Sequence, residues 1–315
     1  MSFSSGVKEE LYRHISPARH CQLAELAALL HFNGSIGVGT TGTFLQIHAE
    51  NALVVRKCFT LLQKTFNIST ETRVQQENQQ TGYFCRIDDP ELILRILQGI
   101  KFLDQTGSPT SGEESLQDGL RCPVSRLLIR NSCCQRAFLR GAFLAAGSMS
   151  NPGKGYHLEI VCSRPLQAQQ ILEILTEFEI EGRIVQRKKY YVVYIKEGAG
   201  ISDFLNVVEA HVALMEFENS RIVREVRNTV NRRVNCETAN ITKTVTAAAR
   251  QVDDILFLQQ KYGFEKLPVS LRQMAEVRLE YPEAPLKMYL DPPVGKSGVN
   301  HRLRKLCELA DAMRS

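Results

Sequence analysis

The stretch "FLRGAFLAAGS", residues 138–148, crowds small side chains onto one predicted helix that stops at Gly147 and Ser148. Glycine and alanine on a helix face let a second backbone approach closely, which an ordinary leucine stripe does not. The chain contains a partner for it, "LAALLHFNGS" at 26–35. Sliding the sequence by 113 positions aligns 21–62 with 134–175 without a gap, and 11 of the 42 aligned positions are identical. Cys21/Cys134, Gln22/Gln135, Leu26/Leu139, Gly34/Gly147 and Ser35/Ser148 are among these pairs. An internal repeat of this kind governs the fold reading.

The elements around the two stretches repeat as well. Each small-residue helix is followed by a loop and then an alternating strand, "FLQIHAE" at 44–50 and "HLEIVCS" at 157–163. Helices are predicted at 52–66 and 165–178, from apolar residues at three- and four-residue steps. Strand pairs follow near 71–76 and 82–87, and near 183–188 and 190–195, with closing helices at 90–102 and 201–215. The repeats thus occupy about 20–103 and 133–216, and the polar "DQTGSPTSGEESLQDG" at 104–119 is the linker between them. Two such copies can pack about a pseudo-two-fold axis, with Ala28, Gly141, Ala142, Ala145 and Ala146 at the contact.

Composition narrows the class. The 315 residues suffice for two domains, and 43% hydrophobic with 23% charged content is ordinary for a globular protein. No apolar run is long enough to span a bilayer, and the opening "MSFSSGVKEELYRH" has no signal-peptide core, so a cytoplasmic, nucleoid-associated protein without membrane contact is expected. Nine cysteines without a C-x-x-C pair suggest reduced, mostly buried thiols, with no metal and no cofactor. The adjacent Cys133 and Cys134 are expected to pack inside rather than to form a vicinal disulfide.

The net charge of +5 is concentrated near the C-terminus. Between 221 and 250, Arg221, Arg224, Arg227, Arg232, Arg233, Lys243 and Arg250 face only Glu225 and Glu237, and 296–305 adds Lys296, Arg302, Arg304 and Lys305 with no acid. A polyanion, most simply double-stranded DNA, is the expected partner, a solvated helix face being the plain alternative.

From about 219 the repeat pattern ends, leaving a 1–218 domain and a helical 219–315 domain with helices near 219–234, 240–261 and 268–279. Pro292 and Pro293 stop one element, Gly295 frees a turn, and Ser297 is placed as the N-cap of a helix to about Ala312. Val299, Leu303, Leu306 and Ala310 form its buried stripe. Ser297, Asn300, His301 and Arg304, beside Gly298, then carry groups that read base edges, Arg302 and Lys305 suit phosphates, and Lys287 and Lys296 join the DNA-binding set. "GKSG" at 295–298 is not a P-loop, because Leu290 occupies the position of its first glycine and no strand precedes it. In "NRRVNCETAN" at 231–240, Asn235, Glu237, Thr238 and Asn240 are read as caps for the next helix, or else Arg232 and Arg233, with Lys243 beyond them, touch the DNA backbone.

The paired "LRGAFLAAGS" and "LAALLHFNGS" resemble the signature helices of LAGLIDADG homing endonucleases. That resemblance implies an α+β fold of two αββαββα repeats, with the signature helices packed at the centre and two saddle-shaped sheets straddling DNA. It also implies an acidic metal ligand at the end of each helix, just before the glycine. Asn33 and Ala146 stand there instead, and neither supplies the charged oxygen that a hard cation requires. Glu25, two turns upstream of Asn33, is too far away to replace it. No catalytic residue is therefore assigned.

Longer strings, "CCQRAFLRGAFLAAGS", "YYVVYIKEG", "NRRVNCETANITKTV" and "PPVGKSGVNHRLRKL", resemble the WhiA family of bacterial DNA-binding regulators over nearly the whole chain. This implies a degenerate repeat domain joined to a helix-turn-helix domain, acting in transcription, cell division, chromosome segregation and, in some lineages, sporulation. The chain departs from the pattern where "PLKMYLDPPV" is short for the first helix of that motif and Pro285 replaces a serine cap. A residual nuclease, and an adaptor holding a protein partner in the old DNA groove, stand as alternatives; the oligomeric state is open.

Overall fold

Ser2 is a helix cap: its hydroxyl accepts from the Ser5 amide at 3.1 Å, and α1 (Phe3–Arg13) buries Phe3, Val7 and Leu11 at successive four-residue steps. The structure, a computed structural model, describes residues 2–39, 42–69, 72–77, 80–108, 120–282 and 295–314. The first repeat comprises α2 (Arg19–Asn33), β1 (Gly34–Gly39), β2 (Gly42–Ala49), α3 (Ala52–Phe66), β3 (Thr72–Glu77), β4 (Gln80–Ile87) and α4 (Pro90–Gly99). Its local signals are explicit. Asn51 caps α3 through the Leu53 amide, Asn67 ends that helix in the left-handed region at φ 58°, and Asp89 caps α4 with Pro90 at the first helical position.

The second repeat has the same order: α5 (Ser132–Ala146), β5 (Gly147–Met149), β6 (Leu158–Cys162), α6 (Pro165–Glu177), β7 (Arg183–Arg187), β8 (Tyr190–Ile195) and α7 (Gly198–Val207). Each repeat forms one four-stranded antiparallel sheet, ordered β1-β2-β4-β3 and β5-β6-β8-β7. Leu45, Ile47 and Ala49 point from β2 into the core, while Gln46 and His48 between them face outward. The segment read as a loop after each small-residue helix is instead a strand that starts at the glycine itself, with Gly34 opposite Ile47 and Gly147 opposite Ile160. "GSIGVG" offers only Ile36 and Val38 among three glycines, too little to announce a strand; its pairing comes from β2.

The central contact is α2 against α5. On α2 Ala24, Leu26, Ala27, Ala28, Leu29 and Leu30, and on α5 Ala137, Phe138, Leu139, Ala142, Phe143 and Leu144, are all buried, and Gly141 of α5 lies against Glu25 and Ala28 of α2. Ala145 and Ala146, expected at the same contact, are half-buried. Equivalent positions perform equivalent tasks. Lys57 of α3 donates to the carbonyls of Leu11, Tyr12 and His14 ahead of α2, and Gln170 of α6 clasps both backbone groups of Val124 ahead of α5.

All nine cysteines are thiols. Cys134 is buried as expected, but Cys133 is exposed: it sits one residue into α5, where the helix start turns it outward.

A 51-residue helix, α8 (His211–Lys261), replaces the two helices expected at 219–234 and 240–261. The chain divides into two compact units, 1–224 and 225–315, within this helix. In the second unit Ile255 and Leu258 of α8 pack with Leu271, Met274 and Ala275 of α9 (Val269–Glu280) and with Val299, Leu303, Leu306 and Ala310 of α10 (Lys296–Arg314). Pro285, Lys287, Leu290, Pro292 and Pro293, and the linker from 109 to 119, lie outside the described residues.

Candidate nucleic-acid interface

Helix α10 starts earlier than its sequence suggests. The Gly295 carbonyl already accepts the first helical bond, from Val299 N–H at 3.1 Å, so Gly295 holds the cap position and Ser297 lies inside the first turn. The buried stripe Val299, Leu303, Leu306 and Ala310 orients the helix. Lys296, Ser297, Asn300, His301, Arg304 and Lys305 are exposed; Gly298 and Arg302 are half-buried at its flank. Arg304 meets Glu308 at 3.4 Å, both exposed, a pair worth well under 1 kcal/mol and readily exchanged for a stronger acceptor.

The far end of α10 is tied down by charge. Asp254 of α8, 1% exposed, takes Arg314 at 2.5 Å and Arg250 at 3.7 Å, and Arg250 also reaches Asp311 at 3.0 Å. On α9, Arg278 donates twice to Gln251 and once to the Pro282 carbonyl. The helix carrying the candidate base readers is thus fixed by core and ion pairs on one side and open on the other.

The 231–240 motif caps nothing. Asn235, Glu237, Thr238 and Asn240 lie in the middle of α8 with exposed side chains, because the helix continues through them without interruption. Arg232, Arg233 and Lys243 are exposed on the same helix, and Arg233 pairs with Glu237 at 3.0 Å.

In the repeat unit Asn33 and Ala146 are the last residues of α2 and α5, immediately before the strand glycines. Asn33 donates its amide to the His48 carbonyl at 3.1 Å. The cluster of metal-ligating side chains that the described residues do contain, His20, Cys21, Cys133 and Cys134, lies at the opposite, N-terminal ends of these helices. Glu25, excluded as a replacement ligand, has a structural task instead. Fully buried, it meets Lys57 at 3.0 Å and Arg140 at 3.2 Å, and Arg140 continues to Glu209 at 2.5 Å. Burial lowers the Lys57 pKa, and the Glu25 charge opposes that shift.

The outer sheet faces are largely self-satisfied. Arg86 stacks over Phe44 at 3.8 Å and His48 over Phe84 at 4.5 Å. On the second sheet Glu159 accepts from Ser148, His157 and Arg187. Burial works against its charge, but the bonds from His157 and Arg187 prevail and hold its pKa below the usual carboxylate value.

Two αββαββα repeats around a central helix pair, followed by a helical unit that presents one basic face, define a LAGLIDADG-like scaffold coupled to a helix-turn-helix module. Three family descriptions match successive parts of the chain: the WhiA N-terminal LAGLIDADG-like domain at 19–102, the WhiA LAGLIDADG-like domain at 135–227 and the WhiA C-terminal HTH domain at 230–310. The chain is 49% identical to the probable cell division protein WhiA of Lachnoclostridium phytofermentans, over all of both chains. It is 45% identical to that of Desulforamulus reducens, over all of this chain and 97% of the relative. The chain belongs to the WhiA family. The crystal structure of full-length DUF199/WhiA from Thermatoga maritima, 24% identical, has the same fold with a TM-score of 0.59 over 99% of each chain.

Proposed function

We propose that the protein is a non-catalytic, sequence-specific binder of double-stranded DNA. It regulates transcription in cell division and chromosome segregation, and in sporulation where the host sporulates. The observation that carries this reading is the exposed face of α10, where Ser297, Asn300, His301, Arg304 and Lys305 stand opposite the buried stripe. Amide, imidazole and guanidinium groups on one face of a helix match the donor and acceptor patterns of the major groove. Lys287, Lys296 and Arg302, and on α8 Arg232, Arg233 and Lys243, are assigned to phosphates, which position the protein without reading sequence. Asn33 and Ala146 leave the two former ligand positions of the repeat unit without a carboxylate, so that unit is assigned a scaffold role. Genome-wide occupancy mapping of the wild type and an Asn300→Ala, His301→Ala variant tests the reading. Discrete sites should collapse to background in the variant. Unchanged occupancy, or magnesium-dependent nicking of the mapped DNA, would refute it.

An exposed apolar stripe favours a protein partner as a second reading. Val226, Val230, Val234, Ile241 and Val245 of α8 are each more than half exposed at helical spacing. Replacing Val230 and Val234 by glutamine should release such a partner and leave DNA binding intact.

A further inference from the structure

His20 and Cys21 occupy the first turn of α2, and Cys133 and Cys134 the first turn of α5. The four are related by the same 113-residue displacement that defines the repeat: position 20 corresponds to 133, and 21 to 134. Packing α2 against α5 about the pseudo-two-fold axis therefore brings two adjacent pairs together. One ligand atom from each residue lies within 4.8 Å of the others. His20 Nδ1 is 3.2 Å from Cys134 Sγ, 3.3 Å from Cys21 Sγ and 3.9 Å from Cys133 Sγ. A tetrahedral zinc ion with bonds of about 2.3 Å to sulfur and about 2.0 Å to nitrogen requires N···S edges of about 3.5 Å. The observed edges bracket that value.

The surroundings favour anions. Neither helix has a side-chain cap, and neither has an acid in its first turn, so unpaired amide ends of two helices converge where the sulfurs gather. That field favours thiolates, the metal-binding form of cysteine, but burial outweighs it and pushes the Cys21 and Cys134 thiols up, Cys134 to about 12, so the ion itself has to displace their protons. Cys21 and Cys134 are buried while His20 and Cys133 are exposed, which leaves a route for an ion from solvent. The pairs are adjacent residues rather than C-x-x-C spacings, which is why no zinc framework is visible in the sequence.

We infer that His20, Cys21, Cys133 and Cys134 form a structural zinc site that staples the two repeats together at the N-terminal ends of α2 and α5. The ion binds Nδ1 of His20 and the three sulfurs, and the three thiol protons leave to solvent. Closed by four protein ligands, the site has no open position for catalysis. It lies about 20 Å along the helices from Asn33 and Ala146, so it is separate from the former cutting centre.

The test uses the full-length chain, without a polyhistidine tag and purified without chelator. Elemental analysis after dialysis should find about one zinc per chain. Cobalt loading should give thiolate charge-transfer bands and intense tetrahedral bands. Cys133→Ser, at an exposed position, should still fold by circular dichroism but bind zinc at least about tenfold more weakly, since even an outer partner of a metal ligand is worth that much. Cys236→Ser, exposed on α8, should keep the wild-type stoichiometry. Three results would each overturn the assignment: folded wild type that dialysis empties of zinc, a cobalt spectrum without thiolate bands, or mass loss showing a disulfide among Cys21, Cys133 and Cys134.

Discussion

Gly141 of α5 lies directly against Glu25 of α2: a Cβ built on Gly141 would stand 2.7 Å from the Glu25 carbonyl oxygen and 2.9 Å from the Ala28 Cβ. Real Cβ atoms do not tolerate such distances to backbone, so Gly141→Ala must push the central helices apart. The expected loss is about 1–3 kcal/mol in urea unfolding, despite the better helix propensity of alanine. Gly6→Ala on α1, where an added Cβ meets nothing within 4 Å, is the control and should stabilise by up to about 1 kcal/mol. Equal effects at the two positions would refute the close approach.

Removing one charge from the buried network strands the others. Glu25→Gln leaves Lys57 and Arg140, both almost fully buried, without their shared carboxylate and should cost about 3–5 kcal/mol. Glu209→Gln removes a partner that is 37% exposed, where water screens the charge, and should cost under about 1 kcal/mol. Chemical denaturation of the two variants side by side checks the ranking.

His31 sets an acid limit. Its Nδ1–H donates to the Cys122 carbonyl at 2.6 Å; full burial lowers its pKa from 6.5 to about 4, and that bond opposes the shift. The unfolded chain takes up a proton near 6.5 that the folded chain refuses, so stability is fully present above that pH. It falls as the pH drops from 6.5 towards 4, by about 3 kcal/mol in all. His31→Asn keeps a donor for the carbonyl but cannot titrate. Its stability should decline less than that of the wild type between these limits, whatever its absolute value; parallel curves would disprove the assignment.

Two neighbours on α10 should behave differently towards DNA. Arg304→Ala should cost roughly 1–3 kcal/mol on the cognate site and relax preference at one base position. Lys305→Ala should weaken cognate and random duplexes alike and make the salt slope shallower by about one unit. Fluorescence anisotropy across a salt series separates the two. Identical profiles would mean that the face is wrongly divided between base and phosphate.

Patterns with a period were legible in the sequence, and juxtapositions of distant residues were not. The repeat announced itself through coincidences such as Gly34/Gly147, and the buried face of α10 through Val299, Leu303, Leu306 and Ala310. The strand at Gly34–Gly39 was not legible because glycines at 34, 37 and 39 leave only Ile36 and Val38 as apolar side chains, too short a signal to read. The unbroken course of α8 was missed because Asn235, Thr238 and Asn240 favour caps, yet here they continue a helix. Glu25, Lys57 and Arg140 are far apart in the chain, and only the packing of α2, α3 and α5 joins them. A glutamate inside the otherwise apolar "LAELAALL" was the one available hint.

The ion network also breaks the symmetry that the backbone keeps. Under the repeat displacement Glu25 corresponds to Phe138, and Arg140 to Ala27. A molecule assembled from two first halves would leave each buried glutamate with Lys57 alone, and one assembled from two second halves would leave each buried arginine with Glu209 alone. The halves have ceased to be interchangeable, because the Glu25–Arg140 pair forms only between unlike halves.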